Sequence, residues 1–135
     1  MVFLLQRKPG TIFAAMNIEG ELLGNNRVID VNFDDFDEHV LTASQQYPVL
    51  VDFWADWCPP CITLAPVLEK VVYELGQTIA LAKLEVDAGE NMKLAGKYAV
   101  RGFPTVILFQ SGVEKGRFSS MQSATFIENF IIEHL

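Results

Sequence analysis

The chain has 135 residues, half of them hydrophobic, which predicts one compact domain with a sizeable core. Its net charge of −7 argues against nucleic acids and anionic membrane surfaces as partners, because both select basic patches. No stretch approaches the roughly 20 apolar residues of a membrane-spanning helix, so we expect no membrane segment.

Residues 1–26 contain glycines and asparagines that interrupt any helical period, yet they are more apolar than disordered segments usually are. We expect an N-terminal extension that packs on the domain body, residues 27–135, or on a second copy of the chain. The protein is therefore predicted to be a monomer or a weak dimer through this arm. The apolar residues 2–5 precede Arg7 and Lys8, the reverse of the order in a secretory signal, which predicts a cytoplasmic location.

From residue 27 onward the pattern alternates between strands and helices. Strand 28–31 leads to a helix that Asn32 is expected to cap, and strand 49–54 is apolar on both faces, as in a central strand. A longer helix follows the cysteines, and Pro66 is predicted to kink it. The predicted buried faces of these helices are Phe33, Phe36, Val40 and Leu41 in the first, and Leu64, Leu68, Val71, Val72 and Leu75 in the second.

The second half of the chain predicts strand 79–86, helix 91–98, strand 105–109, strand 114–118 and a final helix. Ser111 and Gly112 form a hairpin turn between the last two strands. Ser123 is expected to cap the final helix, whose buried residues are Phe126, Ile127, Phe130 and Ile131. This order predicts an α/β fold with a central mixed sheet, one half parallel and the other antiparallel, flanked by helices.

The only two cysteines, Cys58 and Cys61, enclose Pro59 and Pro60. A strand, a short loop and a helix start place Cys58 at a helix N-terminus, where free N–H groups and the helix dipole favour an anion. This field lowers the pKa of a thiol by about one pH unit from its reference value of about 8.5. Cys58 is thus predicted to be a thiolate nucleophile, and Cys61 the resolving thiol. Pro59 and Pro60 are compatible with this helix start, because proline lacks an N–H group and the first N–H groups of a helix have no helical partner.

Three other interpretations of the cysteine pair are less favoured. A structural disulfide that closes so small a ring would stabilise the fold by only about 2 kcal/mol in the chain-entropy model. A zinc site needs four ligands, and only the distant His39 and His134 are available besides the cysteines. In the third interpretation, the two cysteines are buried and take part in no reaction. We therefore predict a dithiol that cycles between oxidised and reduced forms, with neither a metal nor a cofactor.

Asp52 stands inside the apolar run of residues 49–54, which predicts its burial. Burial raises the pKa of a carboxyl group and prepares it for proton transfer. The alternative is a carboxylate that faces solvent or a salt bridge. Lys83, among apolar neighbours in the next strand, is either a surface lysine whose stem packs on them or the partner of Asp52.

The stretches VDFWADWCPPC (residues 51–61), KLEVD (83–87), VRGFPT (100–105) and ILFQSG (107–112) occur together with Pro66 in this order. In sequence and spacing they resemble the thioredoxin family, over roughly residues 27–135. The resemblance implies the thioredoxin fold with an N-terminal extension. It also implies that Cys58 attacks, that Cys61 resolves, and that Asp52 and Lys83 handle the proton.

The resemblance further implies a substrate-binding surface. Pro104 is implied to be a cis-proline, and the backbone of Phe103 before it is implied to align a substrate chain beside the cysteines. Trp57 is the flat aromatic residue beside the disulfide, with Pro59 and Pro60 next to it, whereas Trp54 is expected in the core.

Four positions depart from the usual pattern of the family. Pro59 stands where glycine is common between the cysteines, and we expect it to alter the redox potential. Ile62 replaces a basic residue and makes the rim more apolar. Phe103 is bulkier than the usual aliphatic residue. Ser120 stands where a glycine is expected before the last helix, and it crowds the substrate groove.

The function that the resemblance implies is a thiol-disulfide oxidoreductase that reduces disulfides in protein substrates and receives electrons from a thioredoxin reductase. One alternative is a thioredoxin-like chaperone or binding module with little reductase activity, because LEKVV (68–72) and ILFQSG also resemble thioredoxin domains of chaperone-type proteins. Another is a membrane-tethered thioredoxin of cytochrome c maturation, where Cys-Pro-Pro-Cys also occurs. Those domains usually lack the acid found here at Asp52 and insert an extra segment before the cis-proline.

Overall fold

A computed structural model describes residues 27–76 and 78–135, and in them five strands form one mixed sheet. The strands are β1 (Val28–Asp30), β2 (Val49–Trp54), β3 (Ala80–Glu85), β4 (Thr105–Gln110) and β5 (Val113–Ser119), arranged in the order β1-β3-β2-β4-β5. β3 pairs in parallel with β1 and with β2, whereas β4 pairs antiparallel with β2 and with β5. The predicted α/β fold with a parallel and an antiparallel half is confirmed.

Helices cover both faces of this sheet. The regular helices are α1 (Pro59–Glu74), α2 (Asn91–Lys97) and α3 (Ala124–His134). Leu64 and Leu68 of α1 pack in one apolar cluster with Ile127 and Phe130 of α3. The opposite cluster contains Leu94 of α2 and residues of the helical segment that precedes β2. Each face of the sheet therefore carries its own part of the core.

The helical segment before β2 is irregular rather than the single α-helix that its apolar spacing predicts. It consists of the 3₁₀ turn Phe33–Asp35, the π-helical stretch Asp37–Thr42 and the 3₁₀ turn Ala43–Gln45. Phe36 and Val40 are buried as expected, but Phe33 is exposed, which corrects the predicted face. A regular 3.6-residue period no longer applies once the hydrogen-bond pattern changes along a segment.

Strand β2 lies at the centre of the sheet, paired on both sides and covered on both faces. Its side chains alternate between the two clusters: Val49, Val51 and Phe53 belong to the one that contains α2, and Leu50 to the one that contains α1. The same alternation directs Asp52 toward α1. The alternation of side chains along β2 therefore places the carboxyl group of Asp52 in the core.

The chain reversal between β4 and β5 occurs at Ser111 and Gly112, whose φ angles are 58° and 81°. Two consecutive positive φ values are typical of the tight hairpin turn that the sequence predicts. Ser123 accepts a hydrogen bond from the N–H of Phe126 at 3.1 Å and so caps α3, as expected. Phe126 itself is exposed, in contrast to its predicted burial, and its ring contacts Phe118 edge to face.

The predicted N-terminal extension lies outside the described residues, so its packing on the body or on a second copy stays a prediction. No helix in the part of the chain that the structure describes has the length and apolar character to cross a membrane.

Asn91, at the start of α2, joins three elements through one buried side chain. Its Oδ1 accepts a hydrogen bond from the N–H of Phe33 at 2.7 Å. Its Nδ2 donates to Asn32 Oδ1 at 2.9 Å and to the carbonyl oxygen of Glu85 at 2.8 Å. This amide connects the end of β3 to the first helical segment and to the start of α2.

Replacing Asn91 with alanine is expected to lower the free energy of unfolding by about 2–3 kcal/mol, because the partly buried N–H of Phe33 and carbonyl group of Glu85 lose their partners. The exposed Asn129 of α3 provides the control, and Asn129→Ala should change stability by less than about 0.5 kcal/mol. Urea unfolding of both variants measures the difference. Equal stability of the two variants would show that the amide does not hold these elements together.

Candidate active site

The two cysteines lie at the junction between β2 and α1. The strand ends at Trp54, a short loop follows, and α1 begins at Pro59 with Cys58 as its N-cap. Cys58 and Cys61 form a disulfide with Cα atoms 5.3 Å apart, so the structure represents the oxidised protein. Both residues are buried. The predicted position of Cys58 at a helix N-terminus is confirmed.

The first turn of α1 surrounds the sulfur of Cys58 with polar backbone groups. The N–H of Cys61 donates to Cys58 Sγ at 3.3 Å. The carbonyl oxygen of Phe103 lies 3.5 Å from the same sulfur, on the other side of the site. An N–H group that points at a sulfur favours its anionic form when the disulfide is opened.

The segment opposite the cysteines contains Pro104, and the Phe103–Pro104 peptide bond is cis, as the family resemblance implies. The carbonyl oxygen of Pro104 accepts from the N–H of Ser120 at 3.1 Å. Ser120 has a φ of 73°, in the left-handed region that favours glycine. The position where the sequence lacks the expected glycine therefore lies directly beside the cis-proline.

Trp57 forms an exposed aromatic surface next to the disulfide. Its side chain is 60% exposed, and its Nε1 donates to Asp87 Oδ2 at 2.6 Å. The ring of Phe103 meets it edge to face, with centroids 6.0 Å apart. Pro59 and Pro60 are exposed in the first turn of α1. The residues that the resemblance assigns to substrate binding thus border the cysteines on both sides.

Asp52 is only 1% exposed, which confirms its predicted burial and excludes the alternative of a solvent-facing carboxylate. Removal from water raises its pKa to about 7; the nearby Lys83 ammonium lowers the pKa, and Glu69 raises it. Its Oδ1 has no hydrogen-bond partner among the described residues. At neutral pH the group is therefore able to bind and to release a proton.

Lys83 lies beside Asp52, since the two are register partners on β2 and β3. Its ammonium group, however, makes its ion pair with Glu69 of α1 at 3.0 Å. The sequence offered two alternatives, a surface lysine or a direct partner of Asp52. The structure shows a half-buried lysine that is adjacent to Asp52 and paired with a different carboxylate.

Two residues of the site received no role from the sequence. Asp87 belongs to the KLEVD stretch, but its hydrogen bond to Trp57 became visible only in three dimensions. Glu69 belongs to the LEKVV stretch (68–72), at the border of the buried face of α1, but that stretch gave it no role at the site. Only the packing of α1 over β3 shows that this carboxylate reaches Lys83.

Within residues 27–76 and 78–135, no group of three or more His, Cys, Asp and Glu side chains is arranged to hold a metal ion. The zinc interpretation of the cysteine pair therefore finds no ligand set in this part of the chain.

Comparison with known proteins identifies one family. The thioredoxin family model matches residues 27–133. The thioredoxins of Acidithiobacillus ferridurans and Pseudomonas aeruginosa are each 38% identical to the chain, over 109 and 108 residues. These alignments cover 78% and 77% of this chain and 97% and 96% of the relatives. The thioredoxin of Thiocapsa roseopersicina is 43% identical over 91 residues, which are 67% of this chain and 96% of the relative.

The raised pKa of Asp52 predicts a specific pH dependence of stability. Between about pH 4 and pH 7 the unfolded chain releases this proton while the folded protein retains it, so folding becomes less favourable as pH rises. A pKa difference of about 3 corresponds to a loss on the order of 4 kcal/mol, complete above pH 7 and absent below pH 4. Asp52→Asn lacks the ionisable group and therefore this loss of stability, so the variant should be more stable than the unmodified protein at pH 8.

The exposed neighbour Asp56 supplies the matched control, because Asp56→Asn removes the same charge at the surface. Urea unfolding from pH 4 to pH 8 gives the three stability profiles. If the profile of Asp52→Asn runs parallel to that of the unmodified protein, Asp52 does not hold its proton in the folded state.

Proposed function

Because the chain belongs to the thioredoxin family and is a protein-disulfide reductase, we propose that it works in the cytoplasm, where a thioredoxin reductase restores its dithiol. The observation that carries this proposal is the Cys58–Cys61 disulfide at the N-terminus of α1, with a backbone N–H donated to Cys58 Sγ. A thiol-disulfide oxidoreductase needs a sulfur that ionises readily and a second sulfur one helical turn away.

In the reduced protein, the Cys58 thiolate attacks one sulfur of a client disulfide. The client S–S bond breaks, a mixed disulfide forms between Cys58 and the client, and the departing client thiolate takes up a proton. The N–H of Cys61 and the dipole of α1 stabilise the attacking anion.

Cys61 then resolves the mixed disulfide. Asp52 accepts the proton of the Cys61 thiol, and the resulting thiolate attacks Cys58 Sγ. The Cys58–Cys61 bond forms, the second client thiolate leaves, and two electrons have passed from the protein to the client. A base with a pKa of about 7 suits this step, because both of its protonation states are populated at neutral pH. We assign Lys83 an electrostatic role beside Asp52.

The client chain is held next to the disulfide by the surface that Trp57, Pro59, Pro60, Phe103 and Pro104 form. The carbonyl oxygen of Phe103 lies 3.5 Å from Cys58 Sγ, so a strand that pairs with this backbone brings its own cysteine to the attacking sulfur. The aromatic rings of Trp57 and Phe103 provide apolar contact for client side chains beside that cysteine.

The chaperone alternative is not favoured. The relatives that match nearly along their whole length are thioredoxins.

The proposal predicts that Cys58→Ser abolishes disulfide reduction. In an insulin reduction assay with dithiothreitol as the electron source, the rate should fall by at least about 100-fold, since the nucleophile is lost. The exposed Thr63→Ser variant on the same helix serves as a control and should keep the rate of the unmodified protein. Unchanged reduction by Cys58→Ser, or none by the unmodified protein, would refute the proposal.

Cys61→Ser should accumulate mixed disulfides with client proteins, because the resolving attack is absent. Non-reducing electrophoresis of the variant after incubation with a cell extract should show bands that dithiothreitol removes. Cys58→Ser is the control, which should form none. If both variants trap the same amount, Cys58 is not the attacking sulfur.

A further inference from the structure

We propose that Glu69 is a positioning residue for the proton-transfer step: it holds the Lys83 ammonium away from Asp52 and so sets the pH range in which the Asp52 carboxyl group exchanges its proton. This inference rests on the proposed function, in which Asp52 accepts the proton of Cys61.

The first argument is that the register partner of Lys83 is not its ion-pair partner. Asp52 and Lys83 are direct partners on neighbouring parallel strands, so their side chains emerge side by side on the same face of the sheet. This register makes Lys83 and Asp52 neighbours of opposite charge. Instead, Lys83 Nζ lies 3.0 Å from Glu69 Oε2, and Asp52 Oδ1 has no hydrogen-bond partner within residues 27–76 and 78–135.

The second argument is the charge around Lys83. Lys83 lines a cavity of about 350 Å³ together with Asp30 of β1 and Glu85 of β3, and Glu69 approaches it from α1. On the other side of Asp52, the β4 neighbour is the apolar Val106. Lys83 is thus a cation among several carboxyl groups, and the contact with Glu69 fixes where its charge lies.

The consequence is that the charged form of Asp52 makes no direct ion pair with Lys83, its neighbour on β3, among the described residues. Burial raises its pKa, the Lys83 ammonium lowers it, and Glu69 raises it. The Glu69 side chain is 42% exposed, so solvent screens its direct repulsion of Asp52. Its stronger effect is to hold Lys83, because an ammonium group released from Glu69 is free to turn toward the buried carboxylate.

The test is the titration of Asp52 by ¹³C carboxyl NMR in the oxidised protein. Glu69→Gln should lower the pKa of Asp52 by about one pH unit. Glu74→Gln removes the same charge from an exposed position of the same helix and is the matched control, for which no change is expected. If the two variants titrate alike, the proposal is wrong.

A second pair of variants separates positioning from direct repulsion. With Lys83→Met as the background, Glu69→Gln should lower the pKa of Asp52 by less than half as much, because there is no ammonium to release. An undiminished effect in that background would mean that Glu69 acts on Asp52 directly, and it would overturn the positioning role.

The titration requires neither a client nor turnover, so it stays informative if the proposed function fails. A measurement on the reaction then links the two. The pH at which resolution of a preformed mixed disulfide reaches half its maximal rate should fall by about one pH unit in Glu69→Gln and stay unchanged in Glu74→Gln. A shifted titration with an unshifted rate profile would assign the proton transfer to a group other than Asp52.

Discussion

The burial of β2 from Val49 to Phe53 determines the geometry of the redox centre. The strand is paired with β3 on one side and with β4 on the other, and helices cover both of its faces. Its end is therefore held firmly, and the short loop after Trp54 places the first turn of α1 in one position. The same burial removes Asp52 from water. One packing constraint thus fixes the sulfur at a helix N-terminus and creates a carboxyl group that retains its proton close to neutral pH.

The two electrostatic environments within this short stretch are opposite, and the chemistry uses the difference. Backbone N–H groups at the start of α1 favour a negative sulfur, whereas the core disfavours a negative Asp52. The proposed mechanism needs both groups at the same pH: Cys58 as a thiolate and Asp52 as a carboxyl group that exchanges its proton near neutral pH. The contact between Lys83 and Glu69 belongs to the environment of Asp52, since it decides how strongly the Lys83 ammonium stabilises the charged form of that carboxyl group.

The surface around the disulfide shows what the departures from the usual family pattern do. Ile62 is exposed on the rim, and Phe103 meets Trp57 edge to face, which makes this side of the site more apolar and more aromatic. Ser120 takes a left-handed conformation beside Pro104, where glycine would be unstrained. These residues lie on the surface around the disulfide, which is the surface that we propose a client contacts.

The sequence by itself determined the order of the strands and helices, the mixed sheet, the position of Cys58 at a helix start and the burial of Asp52. These features follow from local periodicity, from helix capping and from the apolar neighbours of one acid, all of which are written along the chain. Tertiary structure alone decided the partner of Lys83, the contact between Trp57 and Asp87, and the exposure of Phe33 and Phe126. The exposure of Phe33 follows from an irregular helical segment. The other three features depend on how separate elements pack together, and residue spacing carries no information about distances between separate elements.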